Sequence, residues 1–210
     1  MESKVLAKSF LWMGLGLVVT FLTGFGVCQS ETMLIQIFTK KLYILFTILE
    51  LVLVVILSAR ITKLSETSAK VLFLLYAFVS GLTFSSIFVV YEIASILYVF
   101  LIAAAMYALM GFVGYTTKCD LTKLGSFALM ALVGIIIASI INIFIMNDMV
   151  AFIISIISLI VFLGITAYDV QKIKKLSNMN NAAIYGALEL YLDFINIFIH
   201  LLEIFGKNRD

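Results

Sequence analysis

Seven long apolar segments follow one another along this chain and leave little sequence between them. Each has about 20 residues, the length at which a helix crosses the hydrocarbon core of a bilayer. Of the 210 residues, 64% are hydrophobic and 12% charged, whereas soluble domains are about half apolar and one quarter charged. We therefore predict an all-α membrane protein, with residues 1–210 forming a single seven-helix transmembrane domain. The segments are residues 9–28, 42–61, 71–90, 93–115, 124–146, 149–170 and 183–205.

The connections between these segments are short. Tyr91-Glu92 and Asn147-Asp148 predict two tight hairpins. Residues 29–41 are expected to form a loop, although its apolar part, residues 33–38, suits the membrane interface. Because the chain has no proline, any break in a helix has to come from glycine or from local unwinding.

Lysine and arginine residues predict the orientation in the membrane. Ten of the 14 lie at the amino end or in the connections between the second and third, fourth and fifth, and sixth and seventh segments. The others are Lys40, Lys41, Lys207 and Arg209. Because cytoplasmic loops carry the excess of positive charge, we expect a cytoplasmic amino terminus and a carboxyl terminus on the far side. The expected location is the cell (inner) membrane.

Composition argues against several classes of function. A net charge of +2 is too small to indicate nucleic-acid binding. The two cysteines, Cys28 and Cys119, are predicted near opposite faces of the membrane, and His200 is the single histidine. These residues do not supply the three or four ligands that zinc requires. No nucleotide fold or nucleophile–base pair is evident, so we expect a non-enzymatic protein without a cofactor, in contact with the lipid bilayer.

The last segment carries a polar stripe. Glu189, Asp193, Asn196, His200 and Glu203 recur at steps of four, three, four and three. At roughly 100° per residue they fall within an arc of about 80°. Ionisable groups facing hydrocarbon cost several kcal/mol each. The seventh helix is therefore predicted to lie inside the bundle, with the other six segments around it.

Two aspartates form the strongest candidate site. Asp169 closes the sixth segment and Asp193 lies inside the seventh. With the intervening turn near Met179, their depths in the membrane differ by only about 6 Å. Two close carboxylates in a low-dielectric site share one proton, as in a proton sensor, a cation (metal) site or an acid/base couple. Alternatively, Asp169 ends its helix near water and Asp193 bonds a neighbouring hydroxyl.

Other polar residues are candidates for a latch or an ion pathway. Arg60, at the end of the second segment, is at the right depth to pair with either aspartate. Alternatively, it is an arginine at the cytoplasmic membrane interface with no partner among the aspartates. Glu50 lies near the bilayer centre and is expected to be protonated or paired. Glu189, one turn cytoplasmic of Asp193, is a candidate for the mouth of a pathway.

The remaining candidates have simpler explanations. Asn196 and Asn142 are expected mainly as interhelical hydrogen-bond partners. His200 and Glu203 fit a wet outer end of the last helix, and His200 and Asn196 are kept as pathway candidates. Carboxylates at several depths suit a hard cation such as calcium, which prefers oxygen ligands, and they equally suit a proton relay.

The carboxyl-terminal third resembles a known family. Residues 167–173, AYDVQKI, and residues 187–206, ALELYLDFINIFIHLLEIFG, resemble the signature end of the Bax inhibitor-1 (transmembrane Bax inhibitor motif) family, in its small bacterial, YetJ-like branch. This resemblance implies a central seventh helix wrapped by six others, and a pH-dependent calcium leak. It implies that Asp169 and Asp193 form a di-aspartyl sensor, that Arg60 is a latch, and that Glu50 is a membrane-embedded acid.

Three other functions remain open from the sequence. A cation/proton exchanger would use the same carboxylates. A non-conducting membrane regulator would act through unknown protein partners. An intramembrane aspartyl protease is disfavoured, because residues 190–193 read LYLD and lack the GxGD pattern of those enzymes.

Overall fold

The computed structural model describes residues 2–39, 41–176 and 178–209. Within these ranges it contains eight α-helices and one short 3₁₀ turn, Ile61–Lys63. Seven of the helices are long and apolar enough to cross a membrane, which confirms the predicted all-α, seven-span class. The helices are α1 (Glu2–Cys28), α2 (Glu31–Thr39), α3 (Leu42–Arg60), α4 (Glu66–Val90), α5 (Ile93–Thr116), α6 (Thr122–Ile145), α7 (Asp148–Lys174) and α8 (Ala182–Phe205).

Local backbone chemistry accounts for the breaks between helices in a chain without proline. The Ser65 hydroxyl accepts a hydrogen bond from the Ser68 amide and starts α4. The Asn147 side chain accepts from the Val150 amide and starts α7. Met146, with a left-handed φ of 53°, ends α6. Both tight hairpins lie where the sequence predicted them.

Several helices extend beyond the predicted spans. α1 begins at Glu2 instead of residue 9, α4 begins at Glu66, and α7 continues to Lys174. Hydropathy stops a span at the first charged residues, whereas backbone hydrogen bonding continues through them. The predicted loop at residues 29–41 was also partly wrong, because it contains the nine-residue helix α2; Lys40 lies outside the described residues.

The chain separates into two compact units. The first comprises the described residues of Met1–Ile93, Leu176–Tyr191 and Asn208–Asp210, and the second comprises Ala94–Lys175 and Leu192–Lys207. The boundary at Tyr191 divides α8, so each unit contains part of this helix. Of the most apolar 18 residues of α8, 61% are buried, compared with 6% for α6. The predicted shielding of the last helix is therefore observed.

In the first unit, α1 and α3 both pack against α4. α1 and α4 approach closely at Gly81, where an added Cβ would lie 2.7 Å from the backbone oxygen of Thr20. Phe21 and Phe25 on α1 contact the ring of Phe88 edge to face. The small residue and the aromatic cluster together allow an extended α1–α4 contact.

In the second unit, α6 packs against α7, with Gly125 beneath the ring of Tyr168. Gly114 on α5 lies directly against the backbone of Ala167 on α7. On the α8 side, Phe194 makes edge-to-face contacts with Phe100 and Tyr107 of α5. These contacts bring α5, α7 and the second part of α8 together around the two aspartates.

Candidate functional site: buried carboxylates of α7 and α8

Asp169 lies within α7 and is only 4% exposed. The alternative that it ends its helix near water is wrong, because α7 continues for five residues to Lys174. The Lys172 ammonium, one turn further along, lies 3.5 Å from the Asp169 carboxylate. Lys172 also lies over the Tyr168 ring, 5.8 Å from its centroid. A buried carboxylate therefore has a half-buried cation beside it at the end of the helix.

Asp193 lies on α8 in the same unit and is 3% exposed. Both aspartates are close enough to Tyr107 of α5 to act on its hydroxyl electrostatically. Tyr107 is itself buried and stacks edge to face on Phe194, the neighbour of Asp193, at 5.5 Å between centroids. Three helices thus contribute polar groups to one buried region. That the two carboxylates share a proton or bind a cation stays a prediction.

The motif around Asp169 also holds the end of α7 in place. The Gln171 side chain donates to the Cys119 carbonyl at 2.8 Å and accepts from the Leu121 amide at 2.9 Å. The Lys174 ammonium donates to the Tyr115 carbonyl at 2.8 Å and lies over the Tyr115 ring. These bonds join α7 to the last turn of α5 and to the α5–α6 connection.

The α5–α6 connection contains a further carboxylate outside the spans. Asp120 accepts hydrogen bonds from the Thr122 hydroxyl at 2.6 Å and from the Thr122 amide at 3.0 Å. These bonds hold the pKa of the Asp120 carboxyl below its usual value. They also satisfy an amide at the start of α6, which otherwise lacks a side-chain cap.

Glu50 belongs to a polar cluster in the first unit. Its carboxylate accepts hydrogen bonds from the Ser80 hydroxyl at 2.6 Å and the Thr83 hydroxyl at 3.0 Å, both on α4. Nearby, the buried Thr20 hydroxyl of α1 lies 2.7 Å from the Tyr191 hydroxyl of α8. The sequence indicated that Glu50 would be paired or protonated; its observed partners are neutral hydroxyl groups.

Two other candidates also lie in the first unit. Glu189 is half-buried on α8, and Arg60 is exposed as the last residue of α3. Arg60 and Glu50 thus lie in the first unit, whereas Asp169 and Asp193 lie in the second. The latch assigned to Arg60 stays a prediction.

The asparagines make local hydrogen bonds. The Asn196 amide donates to the Leu192 carbonyl of its own helix at 2.7 Å. The Asn142 side chain accepts from the Asn147 amide at the turn that follows α6. The expected interhelical bonds are therefore replaced by local ones, because a carbonyl or amide within reach on the same segment competes for a short polar side chain.

At the carboxyl-terminal end of α8, Glu203 connects two helices of the second unit. Its carboxylate lies 3.0 Å from His200 Nδ1 and accepts from the Ser155 hydroxyl of α7 at 2.6 Å. The His200 ring stacks on Phe162 of α7 at 6.1 Å between centroids. Contact with water at the end of the helix therefore accounts for the exposure of Glu203 but not for its contacts with His200 and Ser155.

Among the described residues, no group of three or more His, Cys, Asp or Glu side chains is arranged to hold a metal ion. Sequence reasoning also missed three functional candidates: Tyr107, and the asparagines at positions 180 and 181. Tyr107 is an isolated tyrosine in an apolar span, and in sequence it resembles the exposed Tyr98 of the same helix.

Comparison with known proteins identifies the family. Residues 2–210 match the family described as inhibitor of apoptosis-promoting Bax1. The chain is 41% identical to the inner membrane protein YbhL of Escherichia coli K12, over 97% of this chain and 92% of that protein. It is 39% identical to a protein of Borreliella burgdorferi, over 100% and 94%, and 38% identical to a membrane protein of Streptococcus pyogenes serotype M3, over 95% and 90%. Full-length matches of this kind, together with the seven spanning helices, establish that the chain belongs to the Bax inhibitor-1 family of membrane proteins.

Proposed function

We propose that this protein is a calcium-permeable leak channel whose conduction responds to pH through Asp169 and Asp193. The observation that carries the proposal is the burial of both carboxylates in one unit, on α7 and α8, within electrostatic range of the same tyrosine. Membership of the family agrees with a membrane channel or regulator. No residue is assigned a catalytic role.

The energetic cost of the two aspartates supports a functional role. An ionisable side chain near the middle of a spanning helix, where Asp193 lies, costs about 3 kcal/mol even with relaxation of its surroundings. An apolar pair would fill the same space without this cost. Lys172 stabilises one ionised carboxylate, and two carboxylates in one low-dielectric region favour a shared proton. Proton uptake by the pair then changes the net charge between α7 and α8, which is the proposed gating event.

Oxygen-rich side chains elsewhere suit the passage of a hard cation. Glu50 lies within a cluster of hydroxyl groups, and Glu189 is half-buried on α8. Calcium binds carboxylate and neutral oxygen ligands in flexible geometries. We propose Glu50 and Glu189, with Asn196 and His200, as candidates for the ion pathway, and calcium as the transported ion.

The proposal is tested by calcium uptake into proteoliposomes over a range of pH. We expect wild-type uptake to depend on pH, and both Asp169→Asn and Asp193→Asn to flatten that dependence, since an amide cannot exchange the proton. Asp148→Asn is the matched control, because Asp148 is an exposed carboxylate at the other end of α7. Uptake that keeps the wild-type pH dependence in both site variants would refute the sensor.

The same vesicles distinguish the alternatives. Calcium movement that requires an imposed proton gradient, with measurable counter-movement of protons, would identify a cation/proton exchanger. Absence of calcium movement, together with a stoichiometric protein partner on purification, would identify a non-conducting regulator. We further propose that the protein lies in the cell (inner) membrane, with its amino terminus in the cytoplasm.

A further inference from the structure

Two asparagines before α8 hydrogen-bond the turn that ends α3. The Asn181 side-chain amide donates to the Ile61 carbonyl at 2.7 Å and to the Leu64 carbonyl at 2.9 Å. The Asn180 side-chain amide donates to the Thr62 carbonyl at 3.0 Å. Asn181 thus uses both of its side-chain donors on residues that are 117 and 120 positions away in the chain. We call these three bonds the asparagine clamp.

The clamp satisfies groups that the end of a helix leaves without partners. The last carbonyls of a helix lack intrahelical donors, and Ile61 occupies the C-cap position of α3. Ile61 is almost completely buried, so its carbonyl needs a donor from the protein. Asn181 supplies that donor.

Asn181 also starts α8 with its backbone. Its φ of 57° is left-handed, a conformation that asparagine adopts more readily than most residues. Its carbonyl accepts from the amides of Ile184 and Tyr185 in the first turn of α8. The main chain of one residue therefore begins α8 while its side chain holds the segment directly after α3, and the two helix ends are connected through it.

Few side chains of α3 are buried in the protein. Only Leu53 and Leu57 are buried among its residues, and just 11% of its most apolar stretch is buried. The clamp fixes the end of α3 that carries Arg60, whereas Glu50, near the middle of the helix, is bonded to α4.

We infer that Asn181 is a positioning residue that holds the carboxyl-terminal end of α3 against the start of α8 and thereby sets the pH response of the channel. This inference rests on the proposed function, since it assigns to α3 a part in the same gating transition. With the clamp intact, the end of α3 moves only together with α8. Without the clamp, the carboxyl-terminal end of α3 moves independently of α8, and protonation of a group on α8 no longer determines where Arg60 lies.

The test uses Asn181→Asp in the full-length protein. This substitution keeps the shape of the side chain but replaces the donating amide with a carboxylate that faces carbonyl oxygens. Asn178→Asp is the matched control, because it adds the same charge in the same connection at an exposed residue outside the clamp. Asn180→Asp removes one of the three bonds and should have an intermediate effect.

Two measurements are made on each variant. For Asn181→Asp, we expect hydrogen exchange of the amides at residues 61–64 to accelerate by about tenfold, the combined effect of two lost hydrogen bonds. We also expect the ratio of calcium uptake at acidic and alkaline pH to fall towards one. Asn178→Asp should match the wild type in both measurements.

The outcomes separate the clamp from the proposed function. Unchanged exchange in Asn181→Asp overturns the clamp, and accelerated exchange with a wild-type pH response overturns its role in gating. Wild-type vesicles that pass no calcium refute the proposed function, and with it the role in gating, while exchange still decides whether the clamp restrains α3. If Asn181→Asp does not accumulate, Asn181→Gly replaces it, because glycine keeps the left-handed backbone and removes only the amide.

Discussion

At the scale of single residues, the hydroxyl of Thr20 shows how a buried polar group is satisfied in an apolar helix. It lies 2.9 Å from the Ala77 carbonyl and 3.0 Å from the Gly16 carbonyl, which are acceptors only. The Tyr191 hydroxyl also lies 2.7 Å from the Thr20 hydroxyl, and either of the two can donate in that hydrogen bond. One hydroxyl of α1 thus connects α8 and α4 through short polar contacts.

Thr20→Val tests the importance of this bond. We expect the free energy of unfolding to fall by about 1 to 2 kcal/mol, because both the Tyr191 hydroxyl and the Ala77 carbonyl lose a partner in a buried position. Thr116→Val is the matched control, since Thr116 is exposed and its hydroxyl bonds a carbonyl of its own helix. Unfolding titrations in mixed micelles give both values, and equal losses in the two variants would contradict the assignment.

At the scale of helices, hydropathy predicted all seven spans but not their ends. A run of apolar residues indicates which segment can enter the bilayer, and this was sufficient for the number of spans and for both tight hairpins. It does not indicate where backbone hydrogen bonding stops, so the starts of α1 and α4 and the end of α7 were predicted inside the true helices. The short helix α2 was missed because its nine residues cannot span.

Gly114→Ala tests a helix contact that hydropathy cannot detect. An added Cβ would overlap the backbone of Ala167, which cannot move aside like a flexible side chain. We expect a loss of about 2 kcal/mol in the free energy of unfolding. Gly134→Ala on α6 is the control, because nothing lies within 4 Å of its added Cβ and alanine favours the helix. A stable Gly114→Ala variant would show that α5 does not approach α7 this closely.

At the scale of the whole molecule, the sequence identified the buried acids but not their partners. Asp169 and Asp193 are evident as ionisable residues in apolar surroundings, and both are buried. Lys172 is a local partner, three residues from Asp169, whereas Gln171 and Asn181 position the two helices through distant groups. The groups bonded by Gln171 and Asn181 lie 50 or more residues away, so no local pattern indicates them, and an asparagine in a connection resembles any turn residue.

The predicted orientation can be tested with the native cysteines. Cys119 is exposed in the α5–α6 connection, which the positive charges assign to the cytoplasm. We expect a membrane-impermeant maleimide to modify Cys119 in inside-out vesicles and not in intact cells. Cys119→Ser, which retains Cys28, reports the labelling of the other cysteine, and modification of Cys119 in intact cells would reverse the orientation.

Each unit also carries one native spectroscopic probe. The single tryptophan, Trp12, lies beneath the Lys70 ammonium in the first unit, at 5.6 Å from the ring centroid. The single histidine, His200, lies between Phe162 and Glu203 in the second. Indole fluorescence and the one imidazole resonance of the unmodified chain therefore report on the α1–α4 and α7–α8 contacts separately, so a change of pH can be followed in each unit without attaching a label.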